Sequence, residues 1–133
     1  YIIEIKTVQA SAFRILVEAL KEILVDANLE CDETGIKMIA MDSSHTVLAH
    51  LKLHADKFES YHCSEKRVLG INMINLFRII KTMNNSDTLT LFLESNNDSM
   101  LGIKIENSDN NLYSIYIEIE FYIFLSLFNN FVT

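Results

Sequence analysis

A chain of 133 residues lies within the range of one domain and is long enough to bury a hydrophobic core. Half of its residues are hydrophobic and 22% are charged, which excludes a disordered tail and a membrane bundle. The formal net charge of −7 argues against general nucleic-acid binding, so any such role must rest on where the basic residues are placed.

Residues Tyr1 to Val8 alternate, with Ile3, Ile5 and Thr7 set against Glu4, Lys6 and Val8, the period of a half-buried strand. Ser11 stands where a helix cap is expected, and Phe13, Leu16, Val17, Leu20 and Leu24 then recur at helical spacing. Three strands in a meander follow: Val25 to Asp32, Ile36 to Met41 after a turn at Asp32-Glu33-Thr34-Gly35, and Thr46 to Leu53 after the polar break Asp42-Ser43-Ser44. Phe58 to Cys63 and Val68 to Ile71 are two shorter strands, with Gly70 expected at a bulge.

Asn72 is a suitable cap for a second helix, because Leu76, Ile79, Ile80 and Met83 follow at i, i+3, i+4 and i+7. The run Asn84-Asn85-Ser86-Asp87 ends it. Three alternating strands close the pattern: Thr88 to Glu94, Leu101 to Glu106 and Leu112 to Glu120, parted by turn-rich segments at 96–99 and 108–111. Runs of antiparallel strands, each run accompanied by one helix, define an α+β domain with antiparallel sheets and two helices gathered on one face.

Enzymatic chemistry finds little support in this pattern. Ser43, Ser44 and His45 are neighbours in sequence and are badly placed to form a serine, imidazole and carboxylate relay. His45, His54, His62 and Cys63 lack the i, i+4 or C-x-x-C spacing of metal ligands, and three glycines leave no glycine-rich phosphate loop. The expectation is a protein that is not an enzyme and has no metal or cofactor. Cys31 and Cys63, far apart and with no signal-peptide pattern ahead of them, are read as buried thiols in a reducing compartment.

Four segments carry a family likeness in order and spacing: Val8-Gln9-Ala10-Ser11, Glu18-Ala19-Leu20-Lys21, Met41-Asp42-Ser43-Ser44-His45 and the helix entry Gly70-Ile71-Asn72. Over residues 2 to 120 the chain resembles the amino-terminal domain of the proliferating cell nuclear antigen family of DNA sliding clamps. The resemblance implies the DNA-clamp fold, in which helices line a hole threaded by duplex DNA. It also implies a nuclear processivity factor that tethers DNA polymerase and other replication or repair proteins by topology and effective concentration. Other clamp subunits are implied as partners, in a homo- or hetero-oligomer, and no membrane.

The resemblance places Arg14, Lys21, Arg78 and Lys81 at positions that are basic in the family, where they would face DNA. The helical segments 11–23 and 72–83 hold these four against Glu18 and Glu22, a net of +2, leaving −9 for the rest of the chain. Arg14, Glu18 and Lys21, at i, i+4 and i+7, are expected on the face opposite the apolar stripe, and Asn75, Arg78, Lys81 and Thr82 on the corresponding face of the second helix. The alternative is two ordinary solvated helix faces. Likewise Met41, His45, Thr46 and Leu48 match positions around the pocket that accepts a short partner motif, with sheet core and a turn residue as the alternative. Thr82 and Tyr113 match positions near the subunit contact, while Tyr113 also suits packing on its own sheet.

One domain and a tail are expected: the clamp amino-terminal domain over 1–120 and an apolar tail over 121–133 in place of the family's interdomain connector. That tail, Phe121-Tyr122-Ile123-Phe124-Leu125-Ser126-Leu127-Phe128 onward, is too short to span a bilayer. It reads as a strand extension, a partner-binding tail or sequence foreign to the original frame. With the start at Tyr1, it makes a truncated clamp half the leading expectation, and a non-encircling interaction module or inactive fragment the alternative.

Overall fold

A computed structural model of the chain describes residues 1–8, 10–22, 26–41, 48–107 and 111–119. Among them lie nine strands and two helices in two antiparallel sheets, the α+β arrangement expected. The first sheet has the order β5-β1-β7-β8-β9, built from Ser60–Cys63, Ile3–Thr7, Thr88–Glu94, Asn97–Glu106 and Leu112–Glu118. The second has the order β4-β3-β2-β6, from Leu48–His54, Gly35–Met41, Asp26–Asp32 and Arg67–Asn72.

Strand β1 shows why the alternating pattern folds this way: Ile3, Ile5 and Thr7 are buried while Glu4 and Lys6 lie part-way to solvent. The β2–β3–β4 meander turns at Asp32, whose carboxylate accepts from the amides of Thr34 and Gly35 and from the Thr34 hydroxyl at 2.6 Å. Gly35 has φ of +146°, a conformation that a Cβ would strain. Both sheets and both helices send side chains into a single apolar cluster that includes Ile3, Val17, Leu29, Ile71, Leu76 and Ile103. Burial of these residues is the main driving force for the fold.

Helix α1 spans Ala10–Lys21 and buries Ala10, Phe13 and Val17. It begins two residues earlier than a cap at Ser11 would set, so Ser11 lies in its first turn and is not the cap, and the expected stripe member Leu24 lies outside the described residues. Helix α2 spans Met73–Ile80, capped by the Asn72 side chain, which accepts from the Asn75 amide at 3.0 Å. Met83, three residues beyond the end of α2, remains buried because the chain turns back toward the core.

Three strand expectations are corrected. Gly70 is not at a bulge, since β2 and β6 stay in register through the Asn28 and Gly70 pair. The irregularity falls between Phe92 and Glu94, and β8 begins at Asn97, inside the segment expected to be a turn, because Glu94 pairs with Asn97 around a tighter Ser95–Asn96 turn. Strand β5 begins at Ser60 because a single 3-10 turn, Ala55–Lys57, occupies the chain just before Phe58. The expected first residues of β2 and β4, Val25 and Thr46, and the whole 121–133 tail fall outside the described residues.

Candidate functional site

The two helices pack against each other and run in opposite senses, since Arg14 of α1 meets the chain just after α2 while Lys21 of α1 meets Phe77 within α2. Along α2, Leu76 and Ile80 are buried, while Asn75, Arg78, Lys81 and Thr82 are exposed, as the helical period requires. Arg78 and Lys81 form no ion pair among the described residues, so two cationic side chains point to solvent from one helix face.

Helix α1 presents a different face from the one expected. Arg14 follows buried Ala10 by four residues and Lys21 follows buried Val17 by four, so both flank the apolar stripe and are half-buried. The Arg14 guanidinium donates through Nη1 to the Met83 carbonyl and through Nη2 to Asn85 Oδ1 at 3.0 Å. Lys21 Nζ lies 2.7 Å from Glu22 Oε1 and 4.6 Å from the centre of the Phe77 ring. The outward surface of α1 is instead Ala12, Ile15, Glu18, Ala19 and Glu22, with Ile15 at 63% exposure. Only Glu18 of the trio expected to share the solvent face lies fully there. The i, i+4 relation of Arg14 and Lys21 to buried residues is the signal that separates them from it.

Two of the four expected partner-binding residues lie at one end of the β3–β4 pair. Met41 and Leu48 are Cα partners in its last rung, whereas His45 and Thr46, in the connection between them, fall outside the described residues. The two expected interface residues flank the other sheet's edge. Thr82 lines an open groove between α2 and β9, together with Arg78, Ile79, Ile115 and Ile117. Tyr113 lies on β9 itself, 44% exposed and paired through its backbone with Ile105.

Strand β9 is one of the two outer strands of its sheet, and Leu112, Tyr113 and Tyr116 are all exposed along it. An outer strand offers a row of backbone donors and acceptors to another strand. A further groove of about 320 Å³, not anticipated from sequence, runs between α1 and the end of β4, lined by Phe13, Leu16, Leu53, Phe58, Lys52 and Lys57. Its residues come from segments some 40 positions apart, and no local pattern announces such a junction.

Cys31 is buried and Cys63 half-buried, and both are free thiols. Burial pushes the Cys31 thiol up to about 12, which leaves it protonated and a poor nucleophile. No group of three or more His, Cys, Asp or Glu side chains among the described residues is arranged to hold a metal ion.

Residues 2–121 match the family model described as proliferating cell nuclear antigen, N-terminal domain. The chain belongs to the proliferating cell nuclear antigen family. Its similarity to the proliferating cell nuclear antigen of Chaetomium thermophilum is 34% identity over 114 residues, 86% of this chain and 44% of the relative. Against proliferating cell nuclear antigen 2 of Plasmodium falciparum it is 44% identical over 94 residues, covering 70% of this chain and 36% of the relative. A probable DNA polymerase sliding clamp 1 of Paramecium bursaria Chlorella virus 1 is 34% identical over 107 residues, 80% of this chain and 41% of the relative. The chain thus spans less than half the length of these clamp proteins. Family membership brings with it the sliding-clamp fold and a link to DNA replication, in a family of processivity factors and not of enzymes.

Proposed function

We propose that this chain works as part of a DNA sliding clamp, a non-enzymatic processivity factor that encircles duplex DNA and tethers DNA polymerase and other replication or repair proteins to it. The observation that carries this reading is exposed Arg78 on α2 and Lys81 at its C-cap, neither in an ion pair among the described residues, a cationic helix face in a chain of net charge −7. Such a face attracts the phosphate backbone while the acidic remainder is repelled from neighbouring DNA. Arg14 and Lys21, the other two residues matched to DNA-facing positions, are held within the helix pair by Met83, Asn85, Glu22 and Phe77.

Ring formation needs the outer strands to be continued by other chains or domains. The exposed β9 edge with Tyr113, and Thr82 beside it, form the proposed subunit contact. The end of the β3–β4 pair, with Met41, His45, Thr46 and Leu48, is the proposed docking place for a short partner motif. The nucleus is the proposed site of action, in keeping with the name of the Chaetomium thermophilum relative, a proliferating cell nuclear antigen. The clamp domain is assigned to residues 1–120, and the apolar 121–133 segment stands where a connector would follow.

The charge assignment is tested by duplex DNA association of the wild type and of Arg78→Ala/Lys81→Ala as a function of salt. Removing one phosphate-neutralising side chain lowers the slope of log K against log salt by about 0.9. An unchanged slope in the double variant removes α2 from the DNA-facing surface.

A further inference from the structure

The four cationic residues of the helices are not equivalent, and Arg14 is the one whose side chain hydrogen-bonds to the chain beyond α2. Its side chain leaves the first turns of α1, crosses to the chain beyond α2 and ends on two acceptors, the carbonyl of Met83 and Oδ1 of Asn85. The last carbonyls of a helix and the turn after it lack intrahelical partners and carry the negative end of the helix dipole. Around this terminus the Phe77 carbonyl accepts from the Lys81 amide, the Ile79 carbonyl from the Thr82 hydroxyl and the Ile80 carbonyl from the Met83 amide. Farther along the turn, the Met83 carbonyl is met from α1.

A guanidinium suits this place and an ammonium does not. Two acceptors on residues two apart in sequence are reached by different nitrogens of one planar fork, which a single point charge on a flexible stem cannot reproduce with the same economy of freedom. The turn it holds is otherwise closed locally, by the Asp87 carboxylate accepting from the Asn84 amide at 2.9 Å and the Asp87 amide donating to the Asn84 carbonyl at 3.1 Å. Neither of these local bonds ties the turn to α1; the Arg14 fork does.

We propose that Arg14 is a positioning residue: it clamps the carboxyl end of α2 to α1 and so fixes the orientation in which Arg78 and Lys81 are presented. The second half of this statement rests on the proposed DNA-facing role of α2, whereas the clamp itself does not. Lys21 acts at the other end of the same helix pair through its contact with the Phe77 ring.

Hydrogen exchange and a mutant cycle test the two halves separately. In protein free of DNA, Arg14→Lys keeps the charge and loses the fork, and amides at 81–87 should exchange about ten-fold or more faster than in the wild type, as they should in Arg14→Ala. Asn85→Ala, a milder change that keeps Arg14, should raise exchange in the same window by less. Wild-type protection in Arg14→Lys overturns the clamp, whether or not the protein binds DNA. For DNA association, Arg14→Ala should weaken binding in the wild-type background and have no further effect in Arg78→Ala/Lys81→Ala. Rescue of binding by Arg14→Lys, or an Arg14→Ala loss that is fully additive with the double variant, shows a direct phosphate contact and overturns the positioning role. Absence of any DNA association in the wild type refutes the DNA-facing role of α2, and with it the positioning half, while the exchange result still decides the clamp.

Discussion

The Tyr61 hydroxyl donates a 2.5 Å hydrogen bond to the backbone carbonyl of Asp32, joining outer strand β5 of one sheet to inner strand β2 of the other. Burial raises the phenol well above its ordinary value, so the group stays protonated and remains a donor at any pH the fold experiences. Removing the hydroxyl leaves the Asp32 carbonyl without this partner. Tyr61→Phe is expected to lower unfolding stability by about 1 kcal/mol in a urea titration, with an unchanged slope of stability against denaturant.

Gly102 and Phe92 make a second cross-strand relation, since they are paired residues and the Phe92 ring lies over the glycine. A Cβ at Gly102 would enter the ring's space. Gly102→Ala should therefore destabilise by about 1–3 kcal/mol, and Phe92→Leu should relieve part of the loss in the double variant. Thermal melts of the single and double variants read this directly, and additive losses would refute the overlap.

Acid sensitivity should be traceable to the β2–β3 turn. The hydrogen bond from the Thr34 hydroxyl, supported by the turn amides and by Lys52, holds the Asp32 carboxyl below its ordinary value of 3.8. A depressed carboxylate contributes stability that is complete above its unfolded-state pKa and is lost as pH falls through the folded one. Asp32→Asn should consequently flatten the decline of stability below about pH 4 in urea titrations at stepped pH. A variant whose acid decline matches the wild type places the sensitivity elsewhere.

The two thiols should differ in reactivity. With Cys31 pushed up to about 12 by burial, its alkylation by iodoacetamide at pH 8 is expected to be on the order of a hundred-fold or more slower in the folded protein than in urea. Because the folded state holds the protonated thiol, this group contributes stability that is complete below its unfolded value and is lost as pH rises from there through the folded one. Peptide mapping after timed alkylation, with half-buried Cys63 as the internal comparison, measures the difference in reactivity.

Much of this architecture is legible in the residue pattern, and the failures have physical reasons. The alternation of β1, the Asn72 cap and the i, i+3, i+4, i+7 stripe of α2 identify their elements because local period and burial agree there. The start of β8 is obscured by Asn97, Asp98 and Ser99, whose turn-like composition is overruled by the pairing of Asn97 with Glu94 of β7 and by the Ser99 carbonyl accepting from the Ile119 amide. At the site, Arg78 and Lys81 are readable as exposed cations from periodicity alone. Arg14 is not, because its partners Met83 and Asn85 are 69 and 71 positions away, a separation only the folded chain closes. The groove between α1 and β4 is hidden for the same reason.

Encirclement of DNA is the central claim, and a topological measurement tests it most directly. Labelled protein is allowed to thread onto linear duplex through free ends at low salt, the ends are then blocked on one sample and left open on the other, and salt is raised. A clamp made with this chain should remain on the blocked duplex and run off the open one. Equal loss from both, or equal retention on both, would contradict the account.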